Sequence, residues 1–304
     1  PMIHDVGLRD GLQMEKTTVP FETKLRWLRT LFNSGVDIIQ VGSFVHPKLV
    51  PQMADSDQLF RETLSEKPRS VVLSGLVLNE KGLERGLACG VELFCMGVSA
   101  SETHSRKNTR MATNEALLRI LPMAKMAEEE GRNVQVSVQS AFGCGDEVLV
   151  QPEKVLSIVD AYLSAGLRNI SLADTAGHAD PNGVAVLFNS IRRMDDRVET
   201  ACHFHDTYGL GIANSLAALE AGVTCFEASF GGLGGCPFTA VAGGNVCTED
   251  LVHLFQRLSL RTDIQLDPLL KLGGEVSEFF GRDLPGNVYK TGPIPRNRSN
   301  EPQT

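Results

Sequence analysis

The chain lacks an excess of positive charge. Its 29 Lys and Arg face 37 Asp and Glu, a formal net charge of −8, and no cluster of basic residues stands out. A nucleic-acid surface needs such a cluster, so that class of partner is excluded and any anionic ligand must be met by a local patch. No apolar stretch approaches a membrane span, and the opening "PMIHDVGLRDG" reads as strand and loop without signal-peptide features. A membrane partner is therefore not expected, although a chain beginning at Pro1 leaves room for a removed targeting peptide. A disulfide framework is missing too: the seven cysteines are odd in number, spread out and mostly embedded in apolar runs such as "VELFCMGV" and "VTCFEASF". That usage suits buried thiols in a reducing, intracellular compartment.

What is present is an ordinary globular composition, 304 residues with 42% hydrophobic and 22% charged, and one recurring local pattern. "NSGVDIIQVGS", "ACGVELFCMGVS", "EEGRNVQVSVQS", "SAGLRNISLADT" and "EAGVTCFEASFGG" each run from a helix end through a glycine into a β-branched strand. Glycine suits the left-handed position that closes a helix, and the apolar run behind it suits a buried strand. Filling the gaps predicts strands near 2–6, 36–41, 70–77, 91–98, 133–140, 168–173, 198–204 and 223–230. Helices are expected near 21–34, 54–65, 79–89, 113–130, 152–165, 180–194, 209–221 and 247–259. Eight βα units imply an α/β fold, a (β/α)8 TIM barrel over 1–262, with an open doubly wound sheet as the competitor. Residues 263–290 are expected to add a short C-terminal helical extension packed on the barrel, and 291–304 a flexible tail.

In such a barrel the chemistry sits where strands end. The first strand ends in "GLRDGLQ", with Arg9, Asp10 and Gln13; the second in "IIQVGSFVHPK", with Gln40, Ser43 and Lys48. The sixth offers Asp174, the seventh "HFHD", and the eighth runs into a glycine-rich loop with Cys236 and Asn245. His203 and His205, two apart on a strand, project to one face and can grip one cation. With a carboxylate from the first strand and the Asn245 amide oxygen they form a mixed N/O set that suits Mg²⁺ or Mn²⁺, and two histidines with an aspartate also suit zinc. Each feature alone has a plainer reading: His-x-His as strand packing, Asp-Gly as a turn, Cys236 as a small buried residue, Lys48 as a solvated side chain. Their convergence at one end of one barrel is what points to a site.

"GLRDGLQMEK", "SFVHPKLVPQM", "HFHDTYG" and "GGLGGCPFTAVAGGNVCTEDLV" resemble the hydroxymethylglutaryl-CoA lyase family of the DRE-TIM metallolyases, in order and from the first strand to about residue 260. The resemblance implies metal ligands at Asp10, His203, His205 and Asn245, and catalytic roles for Arg9, Asp10, His203 and Cys236. Gln13, Ser43, Lys48 and Asp174 join Arg9 as candidates for substrate contact. The implied reaction is retro-Claisen cleavage of 3-hydroxy-3-methylglutaryl-CoA, or a related acyl-CoA substrate, to acetyl-CoA and a 3-oxo acid such as acetoacetate. Mg²⁺ or Mn²⁺ is the implied cofactor, a homodimer the implied assembly, and a bacterial cytoplasm or a mitochondrial matrix the setting. One departure stands out: Gln40 lies where these lyases usually carry a glutamate, and a neutral amide supplies neither a base nor a charge. Two alternatives remain, a Claisen-condensing synthase of the same superfamily and a non-catalytic barrel that binds metal or acyl-CoA.

Overall fold

The structure, a computed structural model, describes residues 1–46, 48, 50–145, 147, 149–235 and 243–295. Eight strands follow one another as β1 (Met2–Asp5), β2 (Ile38–Ser43), β3 (Val72–Leu76), β4 (Leu93–Ser99), β5 (Asn133–Gln139), β6 (Asn169–Asp174), β7 (Glu199–Phe204) and β8 (Cys225–Ala228). Each pairs in parallel with the next, and β8 returns to β1 with Met2 opposite Cys225 and Asp5 opposite Ala228. Closure in sequence order makes this a TIM barrel and excludes the open sheet.

Around the barrel run α1 (Phe21–Ser34), α2 (Ser56–Thr63), α3 (Glu80–Cys89), α4 (Glu102–Thr109), α5 (Thr113–Glu129), α6 (Pro152–Ser164), α7 (Pro181–Met194), α8 (Gly211–Glu220) and α9 (Thr248–Arg257). The five recurring glycines, Gly35, Gly90, Gly131, Gly166 and Gly222, all take positive φ, between 70 and 86°, the conformation that led to the expected helix ends. Helix α4 has no counterpart among the expected elements. Its segment "ETHSRKNT" carries no apolar stripe, and what starts it is a cap: Ser101 Oγ accepts the His104 N–H at 3.1 Å.

Two further helices follow, α10 (Leu266–Phe280) and α11 (Val288–Thr291). Leu269, Leu272 and Val276 form the buried stripe of α10. The fully buried Trp27 of α1 meets Phe279 at 5.5 Å between ring centroids and Phe230 at 5.9 Å, both edge-on. Truncating an aromatic so buried costs about 3–5 kcal/mol. Residues 296–304 of the expected tail lie outside the described residues. Among the described residues, no helix is long and apolar enough to cross a membrane.

Inward positions alternate along each strand and stack in layers. Further down the interior is apolar, with Ile38, Leu93, Ala201 and Cys225 in one cluster. Above it the interior turns polar: His4, Gln40, Ser74, Gln135, Ser171 and Glu227 replace the usual branched aliphatics. Buried polar groups are tolerated when partnered. His4 Nε2 lies 2.8 Å from Ser74 Oγ, and Ser171 Oγ donates to Glu227 Oε1 at 2.8 Å. This polar layer is the floor of the cavity that opens at the C-terminal ends of the strands.

Candidate active site and cation centre

β1 ends in a single π-helical turn, Gly7–Gly11, a geometry concentrated at functional sites. Asp5 anchors it: Oδ1 accepts the Gly7 N–H at 2.9 Å and Oδ2 accepts Thr248 Oγ1 at 2.6 Å. Arg9 and Asp10 are thereby turned over the barrel mouth. Arg9 donates from Nη1 to Asp10 Oδ1 and from Nε to Gln40 Oε1, and Gln13 Nε2 reaches Asp10 Oδ1 at 3.4 Å.

Across the mouth, His203 Nε2 and His205 Nε2 lie 3.2 Å apart, and Asp10 Oδ2 stands 3.8 and 3.9 Å from them. Two imidazole nitrogens at that distance either share a hydrogen or present two lone pairs to one cation. Asn245 is brought in by a bridge with His205, and its Nδ2 donates to Asp10 Oδ2 and to the Leu233 carbonyl, each at 2.9 Å. Gly234, at φ 125°, makes room for it, since a Cβ there would lie 2.4 Å from Asn245 Nδ2.

Burial pushes the Asp10 carboxyl up, but Arg9, His203, His205 and Asn245 outweigh it and hold the group far below the usual carboxylate range. The two histidines diverge. Burial lowers His203, yet the bond to Glu227 and the charges of Asp10 and Glu227 leave it raised; burial, then His203 itself, lowers His205 to about 4. Glu227 keeps its charge in the same way. Burial raises it, and the His203 contact chiefly brings it down to about 2.

These residues fit a divalent cation. The ligand atoms of Asp10, His203 and His205 all lie within 4.8 Å of one another, and Asn245 Oδ1 is buried without a hydrogen-bond partner. Two nitrogens, a carboxylate and a spare amide oxygen are a donor set for Mg²⁺, Mn²⁺ or Zn²⁺.

The cavity holds about 250 Å³, and Arg9, Asp10, Gln13, Gln40, Ser43, His203 and His205 all line it. Two residues expected at the substrate do not. Lys48 is exposed on the loop beyond β2 and is not among the lining residues, as a strongly hydrated ammonium prefers. Asp174 is one residue out of phase: Ser171, Ala173 and Thr175 face the cavity, while Asp174 is fully buried outside it and its Oδ1 accepts the His178 N–H at 2.7 Å. Burial pushes that carboxyl up to about 7. Cys236 lies outside the described residues.

Sequence reasoning missed Glu227. Its signal was a lone glutamate inside the apolar strand run "VTCFEASF", where an unpartnered carboxylate would be costly. It missed Gln135, Gln139 and Ser171 for a simpler reason: small polar residues on alternating strand positions form no motif.

A family model described as HMGL-like matches residues 1–276. The chain belongs to the HMGL-like family. As a member it is a lyase. Hydroxymethylglutaryl-CoA lyase YngG of Bacillus subtilis is 36% identical over 292 residues, covering 95% of this chain and 97% of the relative. The (R)-citramalyl-CoA lyase of Chloroflexus aurantiacus is 37% identical over 301 residues, covering 96% of this chain and 95% of that one. Among solved structures, an HMG-CoA lyase from Acinetobacter baumannii in complex with coenzyme A and 3-methylmalate superimposes with a TM-score of 0.90 at 34% identity. It covers 100% of this chain and 97% of its own. Both lyase types are similar to this HMGL-like chain, so family membership leaves the acyl group open.

Proposed function

We propose that this lyase cleaves hydroxymethylglutaryl-CoA, or a closely related thioester with a tertiary hydroxyl at C3, to acetyl-CoA and an oxo acid by a retro-Claisen reaction. The observation that carries the reading is the meeting of Arg9, Asp10, His203, His205 and Asn245 at one barrel mouth, within hydrogen-bonding or near-contact distances. Asp10, His203, His205 and Asn245 would hold the cation, Mg²⁺ or Mn²⁺. When bound, it would lower the pKa of the substrate's C3 hydroxyl.

The protein's own groups carry the remaining steps. Asp10, whose carboxylate has a second oxygen beside the one turned to the histidines, takes the hydroxyl proton; the C2–C3 bond then breaks, its electron pair passing to the thioester carbonyl as an enolate. The permanently cationic Arg9 meets the charge developing on that oxygen, and its attachment to Asp10 and Gln40 holds the guanidinium in one orientation before the reaction starts. The Cys236 thiol gives its proton to the enolate carbon, completing acetyl-CoA. The cavity's apolar wall, with Leu76, Leu78 and Met96, limits water at the reacting carbon.

A specific observation keeps a second acyl group in view. Gln40 is neutral where a glutamate is expected, and a relative at 37% identity is a citramalyl-CoA lyase. Citramalyl-CoA carries the same tertiary hydroxyl with a shorter acidic arm. Incubation with either thioester and Mg²⁺ or Mn²⁺, followed by measurement of acetyl-CoA and the oxo acid released, tests the reading.

A further inference from the structure

His203 has a second face, turned away from Asp10, and a carboxylate unused by the reaction above occupies it. Glu227 stands opposite His203 in the β7–β8 register and points into the barrel. Its Oε2 lies 3.0 Å from His203 Nδ1, and its Oε1 accepts the Ser171 hydroxyl at 2.8 Å. An ionised carboxylate only accepts, so the ring hydrogen belongs on Nδ1. The lone pair of the neutral ring then sits on Nε2, the atom that faces His205 Nε2 at 3.2 Å and Asp10 Oδ2 at 3.8 Å. Gln40 cannot supply this negative charge, because it is neutral and its carbonyl is engaged by Arg9. Among the described residues lining the cavity, Asp10 and Glu227 are the two carboxylates.

We propose that Glu227 is a positioning residue of the cation centre: it fixes His203 as the Nδ1–H tautomer, aims Nε2 at the point shared with His205 and Asp10, and strengthens the imidazole as a ligand. Ser171 holds the carboxylate in register. The inference rests on the reading of Asp10, His203 and His205 as cation ligands. A carboxylate behind a ligating histidine makes the ring more basic and stops it rotating, and losing such a partner typically weakens metal binding about 10–100-fold.

The test is Mn²⁺ binding to the full-length, metal-stripped protein, read from the free-ion signal in electron paramagnetic resonance. Wild type is compared with Glu227→Gln, Glu227→Ala, Ser171→Ala and His205→Ala. Glu227→Gln keeps the shape and loses the charge, so its affinity should fall about 10–100-fold while its metal-free melting temperature stays near wild type. Nitrogen-15 spectra of histidine-labelled protein should show the His203 Nδ1–H tautomer in wild type and a mixture in Glu227→Ala. Should Glu227→Ala fail to fold, Glu227→Gln decides alone. Wild-type affinity in Glu227→Gln, with binding weakened in His205→Ala, overturns the inference and leaves the site reading intact. A wild-type protein that binds no Mn²⁺, or His205→Ala that binds as tightly as wild type, overturns the site reading and this inference together.

Discussion

Arg9 and Gln40 are joined by a hydrogen bond from Nε to Oε1, so the guanidinium is flanked by one carboxylate, Asp10, and one neutral amide. A glutamate at position 40 would add a charge beside Arg9 and change which acidic arm the site accepts. Gln40→Glu should raise kcat/KM for hydroxymethylglutaryl-CoA relative to the citramalyl thioester by about tenfold, equivalent to about 1.4 kcal/mol of transition-state preference. An unchanged ratio in steady-state assays would show that position 40 does not set acyl preference.

His205 faces His203 and Asp10 and makes no hydrogen bond at Nδ1 to another side chain among the described residues. We propose ligation as its one role. His205→Ala should lower the divalent metal retained after dialysis to a small fraction of wild type, measured by plasma emission spectrometry. Full retention would remove His205 from the ligand set.

Cys236 is assigned the final proton. Its removal leaves the cation centre and Arg9 in place, so Cys236→Ala should cut turnover by about 10²–10⁴-fold while substrate affinity stays nearly unchanged. Equal turnover in a direct acetyl-CoA assay would end the acid assignment.

Glu249 gives the fold a pH signature separate from the chemistry. It is fully buried, both its oxygens accept the Gly231 N–H at 2.9 and 3.0 Å, and burial pushes its carboxyl up to about 7. An acid raised in the folded state contributes stability that is present at low pH and lost as pH rises through the folded value. Between about pH 4.5 and 7 the unfolded chain ionises Glu249 while the folded one resists. Over that window the stability of wild type relative to Glu249→Gln should fall, by up to roughly 3 kcal/mol. Urea titrations at a series of pH values measure it, and a pH-independent difference would contradict the assignment.

The barrel was legible because its elements announce themselves locally: a glycine closes each of five helices and an apolar strand follows. The ligand candidates were legible for a related reason, since Asp10 and His203 sit at or just beyond strand ends and Asn245 lies in the glycine-rich loop between β8 and α9, where motifs survive as short strings. What escaped depends on phase and on distant partners. A shift of one residue along β6 separates the cavity-lining Ala173 from the outward Asp174, and no local string carries that difference. Glu227 escaped because its meaning lies in His203 and Ser171, 24 and 56 residues away. Helix α4 escaped because a cap, Ser101, starts it where apolar periodicity is absent.

The most direct test of the central claim is a panel of CoA thioesters, hydroxymethylglutaryl and citramalyl among them, assayed with Mg²⁺ and with Mn²⁺ for release of acetyl-CoA. Metal-dependent cleavage of thioesters bearing a tertiary C3 hydroxyl is expected, with one acetyl-CoA and one oxo acid per turnover, abolished by chelation. Consumption of acetyl-CoA with a 2-oxo acid and no thioester cleavage, or thioester binding without turnover in the presence of metal, would contradict it.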